Sequence, residues 1–161
     1  MKKRICLTIC LLMLLPLCGC LNAGEYAVQF YYPRNPDTYE FGTQADVITS
    51  ERRTFPTPVN DPEYLMQLYL DGPVSENLIN PFPEGTKLLN LHLNDKTLTI
   101  VLSSEFAALE DMELTIASAC LTNTCFQITG AEQLVLAYGN HQHTHTRESF
   151  LFLDDSATPT Q

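Results

Sequence analysis

A helix that opens at Asp61 has to stop at Gly72, and that stop governs how the rest of the chain is laid out. Residues 61–86 read DPEYLMQLYLDGPVSENLINPFPEGT. Asp61 supplies a carboxylate for the free N–H groups of a first helical turn. Pro62 loses nothing there by lacking an N–H, and Glu63 sits at the positive end. Leu65, Leu68 and Tyr69 then fall at i, i+3 and i+4, which makes one apolar stripe. Gly72 reaches the left-handed conformation that closes a helix, and Pro73 cannot continue one. After a polar loop, Pro83-Glu84-Gly85-Thr86 launches a strand in which Leu89, Leu91 and Leu93 alternate with polar residues. Helix and strand are therefore separate elements that must pack on one another.

The flanking segments fill out an α+β pattern. Tyr26, Val28, Phe30 and Tyr32 alternate along a strand with one aromatic face, followed by a loop over 33–42. A second strand is expected over 46–55, with Arg52 and Arg53 near its end. Asn94-Asp95-Lys96 makes a tight turn, and Leu98, Ile100 and Leu102 resume the leucine alternation on a return strand, which together read as a hairpin. A second helix runs from Asp111 to about Ile128, with Leu114, Ala117, Leu121, Cys125 and Ile128 along one side and Glu110, Asp111 and Glu113 at its positive end. Thr129-Gly130 closes it. Leu134–Tyr138 is a strand, and Ser149–Leu153 is expected as another, reached through a His-rich turn. The order ββαββαβ(β) predicts a mixed β-sheet with two helices packed on one face.

These elements carry a resemblance. A helix ending Leu-x-Gly-Pro at Gly72-Pro73, followed by Pro-x-Gly-Thr-Lys-Leu-Leu from Pro83 through Gly85, resembles the GerMN domain of sporulation and spore-germination proteins. Leu102-Ser103-Ser104-Glu105-Phe106 matches the Leu-Ser-x-x-Phe-like end of that family's hairpin. Asn123-Thr124-Cys125 matches its Asn-Thr-Leu motif, with Cys125 departing from the usual leucine. Leu134 to Gly139 matches its last strand. The similarity spans roughly residues 26 to 140. It implies an envelope protein that works in sporulation or germination as a scaffolding or assembly module, with Gly72, Pro73, Pro83, Gly85, Asn123 and Thr124 as its structural motif.

Upstream, Lys2, Lys3 and Arg4 precede an apolar run from Ile5 to Leu17. That run is shorter than the ~20 residues of a transmembrane helix, so it reads as a signal peptide. Leu17-Cys18-Gly19-Cys20 matches the lipobox of bacterial lipoproteins. By that resemblance residues 1–19 are removed and Cys20 is lipidated, with palmitate-type chains tethering the protein through 20–25 to the extracytoplasmic face of the cell membrane. A single domain then covers 26–153, with a polar tail over 154–161. Losing the three basic residues takes the count from nine basic against nineteen acidic to six against nineteen, a net charge of −13. Such a surface repels nucleic acid and anionic headgroups, and suits docking to a basic protein surface. Cys120 and Cys125 are five positions apart in the second helix. They stand at least ~7.5 Å apart along its axis and point roughly 140° apart, outside disulfide reach.

The one cluster with chemical potential is His141-Gln142-His143-Thr144-His145. If extended, its three imidazoles project from one face and offer Zn²⁺ or Cu²⁺ ligands, with Glu148, Asp154 or Asp155 nearby. Three residues so close in sequence often cannot grip one ion, and a solvated polar hairpin is the simpler expectation. His92 reads as an edge or surface histidine. Ser103-Ser104-Glu105 lacks a strained nucleophile elbow and is expected to cap the next turn. No phosphate-cradling loop, dinucleotide fingerprint or paired carboxylates appear. The sequence therefore points to no enzyme, no cofactor, no small-molecule substrate and no nucleic acid, but to cell-envelope protein partners. The competing reading is a metal- or solute-binding surface lipoprotein that uses His141, His143 and His145.

Overall fold

The computed structural model describes residues 26–38 and 47–153. The signal segment, Cys20, the tether and the polar tail lie outside them. Strands β1 (Tyr26–Pro33) and β2 (Ile48–Phe55) pair antiparallel, from Tyr26 opposite Phe55 to Pro33 opposite Ile48. Helix α1 (Pro62–Leu70) opens with Asp61 accepting the Tyr64 N–H, as its cap chemistry requires. Strands β3 (Leu88–Asn94) and β4 (Thr97–Leu102) form the hairpin, and helix α2 (Asp111–Thr129) returns the chain to β5 (Gln133–Tyr138), which runs parallel to β4. Strand β6 (His141–Thr146) pairs antiparallel with β5 and completes a mixed sheet ordered β3-β4-β5-β6. The α+β class holds, with the six strands divided between a two-stranded ribbon and this four-stranded sheet.

The core joins the two sheets through α2. Phe30 and Tyr32 of the ribbon, Leu98, Ile100 and Leu102 of β4, Leu134, Leu136 and Tyr138 of β5, and Phe106 are all buried in one cluster. From α1, Leu65 and Tyr69 are buried, together with Met66, which a three-residue stripe does not anticipate. Helix α2 carries the expected side, but Ser118, Ala119, Cys120, Thr122, Thr124 and Phe126 are buried as well. Small side chains let neighbours approach on more than one flank. The Thr122 hydroxyl is satisfied by donating to the Ser118 carbonyl, 2.7 Å away, so burial of this polar residue costs little. Cys120 and Cys125 are buried free thiols, and burial pushes the pKa of both up.

Four local expectations are corrected. The leucine faces of the hairpin do not match through Leu89, because a register shift between Leu88 and Asn90 turns Leu89 outward, 63% exposed. Leu88, Leu91 and Leu93 then face Leu102, Ile100 and Leu98; one extra residue in a strand flips its alternation. The His-rich stretch is strand β6 and not a turn, since Gly139 at φ +52° and Asn140 make the reversal. Ser149–Leu153 is not a strand but part of a 3₁₀ turn over Arg147–Leu153: the Ser149 Oγ accepts the Thr146 N–H at 2.9 Å and curls the chain back. Finally, the Ser103 side chain does not cap the turn over Ser104–Ala108. Its Oγ instead accepts the Lys87 N–H at 2.9 Å and ties the end of β4 to the start of β3.

Candidate functional site

The Gly-Pro turn after α1 is built from the sequence outward. Gly72 has φ +98°, and its N–H donates to the Tyr69 carbonyl at 3.1 Å. A side chain there would place a Cβ 3.0 Å from Asn80 Nδ2. Asn80 is fixed, donating to the Leu70 carbonyl at 3.1 Å and accepting the Phe82 N–H at 3.1 Å. What locks the turn is a largely buried ion pair on the inner face of β2. Arg53 Nε donates to Glu51 Oε2 at 2.7 Å, Nη1 to the Leu68 carbonyl at 3.1 Å, and Nη2 to the Gly72 carbonyl at 2.6 Å and to Tyr32 OH at 3.2 Å. The other carboxylate oxygen of Glu51 accepts the Val74 and Ser75 N–H groups at 2.9 and 2.8 Å. The guanidinium also lies over the Phe30 ring, 4.8 Å from its centroid. Sequence reasoning noted Arg53 but gave it no role. Its signal was the i, i+2 spacing of Glu51, Arg53 and Phe55, which puts an acid and a base on the face that also carries an aromatic.

Thr124 of the Asn-Thr motif has an equally concrete task. Its hydroxyl accepts the Tyr31 N–H at 2.9 Å, across 93 residues of sequence. Tyr69 OH donates in turn to the Tyr31 carbonyl at 2.8 Å. The Tyr31 peptide unit thus joins α2, through Thr124, to α1, through Tyr69, while Asn123 beside Thr124 is half-buried. Thr124→Val keeps the shape but leaves the Tyr31 N–H without its acceptor. The expected cost is about 1–3 kcal/mol in urea unfolding, with Thr124→Ser losing less. At the second motif turn Gly85 has φ +85°, and the Thr86 N–H and hydroxyl both donate to the Pro83 carbonyl at 3.1 and 2.8 Å. Beside this turn a groove of about 280 Å³ opens between Pro81-Phe82-Pro83 and the start of α2, lined also by Leu109 and Ile116.

The histidines form a ladder. Leu134, Leu136 and Tyr138 are paired with His145, His143 and His141, so the imidazoles continue the core face of β5 onto the sheet edge. His141 and His143 rings are 6.5 Å apart and nearly parallel at 9°, His143 and His145 are 6.2 Å apart, and Tyr138 and Phe150 flank the row at 5.4 and 5.0 Å. The one-face geometry expected of an extended run is met. Among the described residues, no three His, Cys, Asp or Glu side chains are placed to hold one metal ion. Exposed His92 stands on edge strand β3.

Comparison with known proteins places this architecture. The sequence profile of the Germane family, described as sporulation and spore germination, matches residues 29–143, well over half of the chain. The chain belongs to the Germane family. Solved structures of similar fold include the first GerMN domain of the sporulation protein GerM from Bacillus subtilis. Identity to it is 18% and the TM-score 0.55, covering 73% of this chain and 86% of that one. The tandem GerMN domains of the same protein match at 16% identity and a TM-score of 0.56, covering 74% of this chain and 41% of the tandem. No curated protein matches at a significant level.

The Germane match takes in both motif turns, the Glu51–Arg53 pair, Thr124 and the first two rungs of the histidine ladder. His145 lies just past it. Its Nε2 is buried with no hydrogen-bond partner among the described residues, and burial, with the nearby His143, pushes its pKa below the ordinary imidazole value. The unfolded chain therefore binds more protons than this Germane domain between that lowered pKa and about 6.5. Stability from neutral His145 is full above about 6.5 and is lost as pH falls through the window. Thermal unfolding between pH 7.5 and 5 should show this slope, and His145→Gln should flatten it.

Proposed function

We propose that this Germane domain is a non-catalytic assembly module of the bacterial cell envelope, held to the outer face of the membrane by lipid on Cys20. In this reading it works in sporulation or spore germination through contacts with other envelope proteins. The observation that carries it is where the polar side chains go. Arg53, Glu51, Tyr69 and Thr124 are committed to bonds between elements, while the surface presents an apolar groove and the open edges of β3 and β6. A surface of that kind suits protein contact better than turnover. Among the described residues no helix is long and apolar enough to cross a membrane. Attachment in this reading comes from the Leu17-Cys18-Gly19-Cys20 motif, and two or more acyl chains hold stably where one does not.

Detergent-phase partitioning and intact mass test the anchor. Cys20→Ala should remain as unprocessed precursor or move to the aqueous phase, and a processed, lipid-free Cys20→Ala protein that still partitions with detergent overturns it. Assembly is tested by purifying the tagged full-length chain from solubilised membranes of sporulating source cells. Co-purification of defined envelope proteins in fixed ratio supports the reading; a chain that purifies alone overturns it.

A further inference from the structure

We infer that the groove beside Pro83 is the contact surface, and that it takes an apolar side chain flanked by lysine or arginine on an extended segment of a partner protein. This rests on the assembly reading and adds the partner's chemistry. The walls are Pro33, Ile79, Pro81, Phe82, Leu109 and Ile116, and the charged group among the lining residues is the Glu113 carboxylate. Ile79 is 41% exposed, so an apolar side chain already faces water at the rim. Exposed acids adjoin lining residues along the chain: Glu84 follows Pro83, and Glu110 and Asp111 follow Leu109. An apolar residue with basic neighbours satisfies both the walls and the rim, and opposite charge speeds its encounter.

The groove is also held ready. Ile79 N–H donates to the Pro33 carbonyl at 3.0 Å, both ends of the Asn80 amide are bonded, and Pro81 and Pro83 have fixed φ. A preformed site spends little ordering entropy on binding. Its volume of about 280 Å³ is at or below the small end for sites that engulf a whole small molecule, but it accommodates a side chain or two. A second copy is disfavoured because the chain carries a net charge of −10 before any processing.

The test is a titration of the full-length chain, in detergent, with three capped hexapeptides followed by amide NMR. The probes are Gly-Arg-Leu-Pro-Lys-Gly, its acidic counterpart Gly-Glu-Leu-Pro-Glu-Gly, and the apolar-free Gly-Arg-Gly-Gly-Lys-Gly. The first should bind saturably with shifts at Ile79, Leu109 and Ile116, and the other two should not. Glu113→Lys should weaken the basic peptide by about tenfold, and Ile79→Asp, at an exposed position, should abolish binding without unfolding the domain. No saturable binding, shifts centred elsewhere, or indifference to both substitutions overturns the inference. So does concentration-dependent self-association that produces the same shifts without peptide. If Ile79→Asp leaves recovery of membrane partners unchanged, the groove alone is wrong; if the wild-type chain recovers none, the assembly reading fails with it.

Discussion

Arg53→Met is expected to lower the unfolding free energy by about 3–5 kcal/mol, the usual cost of removing one member of a buried pair. The side chains of Arg53 and Glu51 are each 11% exposed, so little solvent is at hand to screen what is left behind. The Glu51 carboxylate keeps the Val74 and Ser75 N–H groups but loses its counter-charge. The Leu68 and Gly72 carbonyls and Tyr32 OH lose their donor. Urea unfolding should show a lower midpoint at unchanged m-value, with a thermal midpoint down by on the order of 10 °C. Arg53→Lys should recover little, because a single ammonium cannot span the positions that the guanidinium fork reaches. Replacing both partners, Glu51→Leu with Arg53→Met, should regain part of the loss, since no charge is then left unpaired. A single-variant loss under about 1 kcal/mol would mean that the pair behaves as a solvated surface contact.

Gly72→Val combines two penalties. A side chain at φ +98° costs about 1–2 kcal/mol in backbone strain, and its Cβ arrives 3.0 Å from an Asn80 amide that is already bonded to Leu70. Displacing that amide removes a further hydrogen bond, roughly 0.5–1.5 kcal/mol. The total, about 2–3 kcal/mol, should appear in the unfolding midpoint. Binding of a partner should fall only in proportion to the unfolded fraction. A Gly72→Val protein of full thermal stability that has nevertheless lost its partner would make the Gly-Pro turn itself a contact surface.

Much of this fold is written in local chemistry. The Asp61 cap, the stop at Gly72, the turn at Asp95 and the closing Gly130 each depend on a few adjacent residues, and the chain places them as read. What escaped the reading depends on partners distant in sequence. The Glu51–Arg53 pair looks like ordinary strand charge until the Gly-Pro turn is folded over it. Thr124 stands in the Asn-Thr motif, but its task is set only when Tyr31 arrives with an N–H to donate. Leu89 obeys the alternation of its neighbours, and only the bulge, a property of the pair of strands, sends it outward. The His-rich run reads as a turn between two strands. The pairing of β5 with β6 turned that run into a strand and lined its rings up behind Leu134, Leu136 and Tyr138. The groove was invisible for the same reason, since Pro33, Pro83 and Ile116 come from three separate parts of the chain.

The bond from Tyr31 to Thr124 also says something about the order in which this domain can come into being. A two-stranded ribbon is marginal on its own in water, and the flank of the helix that steadies it is made some 93 residues later. When β1 and β2 leave the ribosome, or any pore behind it, the surface they need does not yet exist. Chain made early must wait for chain made late, so the domain is expected to condense in one step and not segment by segment. Cutting it anywhere before Thr124 should yield no autonomous half.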